Sequence, residues 1–203
     1  MARVLLLFAH PALEKSRVHR RLLSRLPASP ALTLNDLYEH YPRFEIDVER
    51  EKALLVEHDL VLLQHPFYWY STPALLKQWQ DLVLEHGWAY GAGGTALQGK
   101  HLANVVTTGG RAAAYGPDGL NRYTVAELLR PIEQTARLCG MNYLPPYLIQ
   151  GTHRLTEADL DRHADHYART LAALVADAID LESWRQAERL DALLPAGTPG
   201  ESP

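Results

Sequence analysis

The chain opens on an apolar run from Arg3 to Ala9, with no polar position between Val4 and Phe8, as expected of a central parallel strand buried on both faces. Ser16 to Leu26 then carries Val18, Leu22, Leu23 and Leu26 at helical spacing and stops before Pro27. Leu32 to Leu37 reads as a weaker second strand, Val48 to His58 as a charged amphipathic helix, and Asp59 to His65 as a third, buried strand. A helix over Pro73–His86 follows, with Ser71 or Thr72 placed to cap it and Pro73 suited to its first turn. After a Gly-rich loop from Gly87 to Gly99, Lys100 to Thr108 predicts a fourth strand. Arg122 to Leu138 predicts a helix that Pro131 should kink. Asn142 to Gln150 reads as a fifth strand and Thr156 to Ala178 as a long amphipathic helix.

Strands alternating with helices imply an α/β domain with a parallel, doubly wound sheet and helices on both faces. Five strands suggest the order 2-1-3-4-5, with a ligand at the switch point beyond strands one and three. The pattern predicts one domain over residues 1–180 and a carboxyl-terminal extension over 181–203. The Pro/Gly-rich tail from Pro195 has no apolar pattern and is expected to be disordered. No internal repeat is visible.

Composition narrows the reading. A chain of 203 residues suits one full-sized core. A formal net charge of −4 argues against nucleic-acid binding. The arginines are scattered among acids and read as a solvated mixed surface. Cys139 is the single cysteine, so an intramolecular disulfide or thiolate cluster is excluded; its apolar context suggests a buried, inert thiol in a reducing compartment. The apolar run at the amino terminus is too short for a secretory signal, and no stretch approaches a membrane-spanning length. A cytoplasmic protein is expected.

Several motif-like strings fail on context. Gly94 to Lys100 nearly matches a phosphate-binding P-loop, but His101 stands where Ser or Thr should hold magnesium, and the segment precedes a strand. Gly91-x-Gly93-x-x-Ala96 lacks the preceding strand of a dinucleotide fingerprint, although Trp88 and Tyr90 there could shape a cavity wall. Asp159, His163 and His166 share a metal-like spacing on a charged helix, where solvated surface is the better reading, so no metal site is assigned. No nucleophile elbow is present.

Three loops at the carboxyl ends of strands one, three and four remain. The first, His10 to His19, leads into a helix start whose free N–H groups and positive dipole end suit an anion. Ser16 can cap that helix and bond a phosphate oxygen, while His10, Arg17 and His19 can supply nearby donors. The second is the aromatic loop Phe67-Tyr68-Trp69-Tyr70, suited to stacking on a planar ring, or to packing on a neighbouring subunit. The third is Thr107-Thr108-Gly109-Gly110, whose glycines permit close backbone approach and left-handed dihedrals.

AHP followed by Ser16 and His19, HPFYWYSTPALLKQW, GWAYG-x-GGTALQGK and VTTGG, in this order, resemble the flavodoxin-like NAD(P)H:quinone oxidoreductases. Within that family, the bacterial glutathione-regulated potassium-efflux ancillary proteins are most similar, including the segment LYEHYPRFEIDVEREKALL. The likeness spans roughly residues 3–175. It implies a flavodoxin-like fold and a homodimer with FMN at the subunit interface, FMN being preferred over FAD on the resemblance alone. The flavin phosphate would lie on His10 and on Ser16, Arg17, Val18 and His19. The ring would lie between Phe67–Tyr70 and Thr107–Gly110. NAD(P)H would deliver hydride and a quinone or related electrophile would receive it, with Tyr115 as a hydrogen-bond donor to the quinone oxygen. Alternatively the protein would serve as a regulatory subunit of a potassium-efflux antiporter, peripheral at the inner face of the membrane. The chain departs from the family at Tyr68, where Gln is common. It departs again at Asn121, where the animal enzymes have His, which speaks against a proton relay from Tyr115 through that position.

Overall fold

The computed structural model describes residues 2–194. The expectation of disorder beyond Pro195 falls outside them. Strands β1 (Val4–Phe8), β2 (Leu32–Asp36), β3 (Leu60–Pro66), β4 (His101–Thr108), β5 (Asn142–Tyr143) and β6 (Tyr147–Gln150) form one parallel sheet. Its order is β2-β1-β3-β4-β5, with β6 also on β4. The predicted fifth strand is thus two short ones, both paired to β4. Leu144-Pro145-Pro146 separates them, because proline has no N–H to give a ladder.

The helices are α1 (Arg17–Leu23), α2 (Leu37–His40), α3 (Val48–Glu57), α4 (Ala74–Val83), α5 (Val125–Leu128), α6 (Arg130–Leu138), α7 (Glu157–Val175) and α8 (Leu181–Gln186). Successive strand residues point to opposite faces. Leu5, Leu7, Val61 and Leu63 therefore join one buried cluster with Leu55, Leu75, Leu76, Trp79 and Ile132. Val4, Leu6, Leu60 and Leu62 join the other with Val18, Leu22, Leu160, Tyr167 and Leu171. Cys139 is buried at the edge of the first cluster.

Several helix boundaries differ from the sequence pattern; α1, α4 and α7 each end three residues earlier than read. The stretch 122–138 is two helices: Thr124 opens α5 with a capping box, and Pro131 sits in the first turn of α6, where its missing N–H costs nothing. Pro73 itself is the N-cap of α4, with no side-chain cap; Ser71 and Thr72 do not take that role. The strand read over Leu32–Leu37 ends one residue earlier, at Asp36, which caps the short α2 that the pattern did not show.

Arginines 17, 21 and 25 are not simply solvated. They face Glu157, Asp161 and Asp165 of α7 as a ladder of ion pairs at matched spacing, joining α1 to α7. Behind α3, wholly buried Glu51 accepts from Asn35 (2.7 Å), Tyr41 (2.6 Å), Trp79 (2.8 Å) and Arg50.

The segment 181–194 folds back on the break between β5 and β6. Buried Trp184 donates from Nε1 to the Pro145 carbonyl (2.9 Å) and Leu190 N–H donates to the Pro146 carbonyl (3.0 Å). The carbonyls left by the Pro-Pro interruption thus find partners in this segment. His166 faces the Tyr147 hydroxyl (2.8 Å) and the Leu194 carbonyl (3.1 Å), while Asp159 closes the capping box of α7. Among the described residues, no group of three His, Cys, Asp or Glu side chains could hold a metal, and no helix is long and apolar enough to cross a membrane.

Candidate functional site at the carboxyl edge of the sheet

The parallel register of β1, β3 and β4 brings the three candidate loops to one edge. In the first, Ser16 is the N-cap of α1 and its hydroxyl accepts from His19 N–H (3.1 Å). The first N–H groups of that helix have no intrahelical partner and open onto the loop. Val18 buries its side chain in the core, so its backbone is what it can offer a ligand. The Arg17 guanidinium is held by Glu157 (2.6 Å), away from the role expected of it as a free donor. His10 is buried. Ala12 N–H donates to its Nδ1 (3.1 Å), which leaves the ring proton of neutral His10 on Nε2. Burial lowers its pKa, with Glu14 pulling the other way.

His19 does not reach the loop surface. Its ring is buried (1% exposed), with Nε2 2.9 Å from the Thr107 hydroxyl and Nδ1 3.1 Å from the Gln64 amide. Burial, reinforced by His10 and His65, holds its pKa well below the ordinary histidine value. It is therefore a neutral internal link, with both ring nitrogens facing partners inside the fold.

In the second loop, Tyr68 and Ser71 exchange backbone hydrogen bonds across a two-residue turn. The turn residues Trp69 and Tyr70 have φ of 50° and 62°. Two positive-φ residues in a tight turn normally call for Asn or Gly, because a Cβ crowds the backbone there. Bulky aromatics in that conformation mark a strained segment, of the kind that clusters at ligand sites. Trp69 is 92% exposed. Half-buried Phe67 meets Tyr70 edge-on at 6.4 Å, and Tyr68 meets His10 at 6.2 Å, so the first two loops touch.

In the third loop, neither Gly109 nor Gly110 has a positive φ, contrary to the sequence expectation. Close approach is what requires them. A Cβ on Gly109 would lie 2.6 Å from His153 Nε2, and one on Gly110 would lie 3.1 Å from the Tyr115 ring. Tyr115 thus covers Gly110, His153 backs Gly109, and the Tyr115 ring lies 6.4 Å from Phe67. Its pKa is raised by burial, against a hydrogen bond with Thr108. Asn121 accepts from the Tyr70 hydroxyl (3.1 Å), which straps the aromatic turn to the loop after Tyr115.

Three site residues were not anticipated from sequence. Gln64 reads as one polar letter in a buried strand, and Tyr167 as a core position of α7. His153 follows β6 in a short 3₁₀ turn, and only the unbroken run into Gly151 hinted that this loop reaches the same edge. Trp88 and Tyr90 instead pack on the core where their loop feeds the amino end of β4, with Lys52 Nζ 5.4 Å from the Trp88 ring.

A family model described as the flavodoxin-like fold matches residues 2–171. The chain belongs to this flavodoxin-like family. A glutathione-regulated potassium-efflux system ancillary protein KefG from Cronobacter sakazakii is 47% identical over 171 residues, covering 84% of this chain and 93% of the relative. General stress protein 14 of Treponema denticola, solved in complex with FMN, is 38% identical with a TM-score of 0.79, over 87% of this chain and 99% of that one. An NADPH-quinone reductase from P. pentosaceus is 33% identical with a TM-score of 0.74, over 82% and 96%. These likenesses bear out the family expected from the motifs.

The donor set suits a flavin mononucleotide. One end of the edge offers a capped helix start and the His10 Nε2–H for a phosphate, and the middle offers an exposed aromatic turn. The far end offers the backbone of a glycine pair, backed by His153 and Tyr115, beside the threonine hydroxyls.

Proposed function

We propose that the protein is an FMN-dependent NAD(P)H:quinone oxidoreductase. The single observation that carries this is the meeting, at one sheet edge, of the Ser16-capped helix start, the strained Trp69-Tyr70 turn and the Thr107–Gly110 loop. It is supported by the flavin in the Treponema relative and by the quinone-reductase activity named for the P. pentosaceus relative. When bound against these loops, FMN would supply the two-electron hydride chemistry that links NAD(P)H to a quinone.

The chain's own residues have separable parts in this reading. Ser16, the backbone of Arg17 and Val18, and His10 Nε2 bind the phosphate, with His19 supporting them from below. Phe67 to Tyr70 form one wall of the ring site, and Thr107 to Gly110 the other. Tyr115 keeps its proton, since burial raises its pKa, and so stays a donor to the quinone oxygen. Tyr115→Phe is expected to slow quinone reduction about tenfold while leaving flavin reduction by NADPH unchanged; equal slowing of both halves would remove Tyr115 from this role. A homodimer, with a second copy covering Trp69 and the nearby exposed Tyr70 and Tyr123, completes the site.

The visible spectrum of the purified protein tests the reading. Flavin absorption that bleaches with anaerobic NADPH and returns with a quinone is expected. A colourless protein that ignores added FMN would refute it.

The KefG relative favours a second role, as a regulatory subunit of a potassium-efflux antiporter, held in the cytoplasm against the membrane. Co-purification with such a transporter is expected under that role, and its absence on crosslinking in cells would count against it.

A further inference from the structure

Below the site, a buried hydrogen-bond chain crosses four elements. The Tyr167 hydroxyl on α7 donates to Gln64 Oε1 on β3 (2.8 Å). The Gln64 amide faces His19 Nδ1 on α1 (3.1 Å), and His19 Nε2 faces Thr107 Oγ1 at the end of β4 (2.9 Å). We infer that Tyr167, Gln64 and His19 are positioning residues that give this chain a single polarity, fixing the Thr107 hydroxyl as a hydrogen-bond donor into the candidate cofactor site. The inference rests on the flavin reading above for the identity of the acceptor.

The polarity follows from the far end. Tyr167 is wholly buried, and burial raises its pKa well above the ordinary phenol value, so its hydroxyl keeps the proton. Among the described residues its one hydrogen-bond partner is Gln64, and a buried O–H without an acceptor is costly. Gln64 must therefore turn its carbonyl to Tyr167 and its NH₂ to His19. His19 Nδ1 becomes an acceptor. The ring is neutral, so its one proton sits on Nε2 and is donated to Thr107. The Thr107 oxygen receives a hydrogen from below, and its own hydrogen cannot point back.

Thr107 stands beside Thr108-Gly109-Gly110, its carbonyl taken by Phe67 N–H (2.9 Å) and the residue still 6% exposed. What it presents to a ligand is an O–H. With the chain reversed, the hydroxyl would donate to His19 and offer lone pairs alone. The chain therefore selects a ligand with an acceptor at this point, such as a carbonyl oxygen or unprotonated ring nitrogen of a flavin.

Nitrogen-15 NMR of the imidazoles in flavin-free protein reads the polarity directly. Wild-type His19 is expected as the pure Nε2–H tautomer. Tyr167→Phe, nearly isosteric, frees the Gln64 amide to turn and is expected to give a mixture of tautomers. It should raise the Kd for FMN, read by flavin fluorescence quenching, about two- to fivefold. Gln64→Leu should raise it about fivefold, as should Thr107→Val, whereas Thr107→Ser should keep wild-type affinity. In a Thr107→Val background, Tyr167→Phe should have no further effect on FMN binding, an outcome that general loosening of the structure would not produce. A wild-type Nδ1–H tautomer would overturn the inference, as would equal losses from Tyr167→Phe with and without the Thr107 hydroxyl. Wild-type protein that binds no FMN while showing the Nε2–H tautomer would refute the flavin reading and leave the chain's polarity standing.

Discussion

Replacing Trp69-Tyr70 by Asn-Gly should stabilise the flavin-free protein while disabling it. Both residues hold a positive φ in a two-residue turn bracketed by the Tyr68–Ser71 bridge. That conformation costs a residue with a bulky side chain about 1–2 kcal/mol, so the pair stores about 2–4 kcal/mol that Asn-Gly would release. Trp69 is 92% exposed, so its removal forfeits almost no burial. Tyr70 is half-exposed and gives up its hydrogen bond to Asn121 and its edge contact with Phe67, together about 1–2 kcal/mol. The net gain is about 0–3 kcal/mol, centred on about 1.5, which at its centre is a Tm rise of roughly 3–6 °C for a domain of this size. Thermal melts of flavin-free protein at two concentrations tenfold apart provide the assay. A contribution of Trp69 to self-association would show as a wild-type advantage that grows with concentration. FMN affinity and quinone reduction should fall together with the gain in stability. A variant less stable than wild type at both concentrations would show that the turn is not strained, and the argument that it is held for a ligand would fail.

Acid should destabilise the protein through its buried histidines. Burial holds both His19 and His65 below the ordinary value of 6.5, so below that pH the unfolded chain takes up protons that the folded one refuses. Stability is then lost as pH falls toward their folded pKa values, with a slope of at most about 1.4 kcal/mol per pH unit for each histidine; a Tm that is flat or rises between pH 7.5 and 5.5 would contradict it. Glu51→Ala leaves the donors of Asn35, Tyr41 and Trp79 and the Arg50 cation without their shared acceptor, and should cost about 3–5 kcal/mol in urea unfolding. A loss under 1 kcal/mol would mean that water replaces the carboxylate. Trp184→Ala should cost about 3–5 kcal/mol in the same assay, because the side chain is fully buried and bonds the Pro145 carbonyl. If the loss is negligible, the segment 181–194 is an appendage to the domain and not part of its core.

The sheet was legible because its central strands are written without interruption. Val4–Phe8 and Leu60–Leu63 need no partner information to be read as doubly buried, and their alternation with helices leaves few topologies. What the pattern missed were interruptions whose consequences are set in three dimensions. Pro145-Pro146 breaks a strand, yet both halves stay on β4 because Trp184 and Leu190, some forty residues later, satisfy the carbonyls at the break. Pro131 splits a long amphipathic run because Thr124 and Glu127 already provide a separate capped start. The Arg17/Arg21/Arg25 ladder looked like scattered charge, since its acidic half lies on α7 at the same spacing, some 140 positions away.

The candidate site divides along the same line. Loops at the carboxyl ends of strands declare themselves by composition: Ser16 before a helix, four consecutive aromatics, two threonines and two glycines. The polarity of the groups beneath them does not, because polarity belongs to contacts between residues far apart in sequence. Gln64 in an apolar strand reads as a blemish, and Tyr167 on an amphipathic helix reads as core. His19 reads as a donor near a bound phosphate, while in the fold it is the link between the other two and Thr107. A buried amide costs stability unless both its ends are matched. That Gln64 finds a phenol on one side and an imidazole on the other is therefore informative. The fold tolerates a polar strand centre where leucine would be simpler, and what it obtains there is control over which atom of Thr107 meets the ligand.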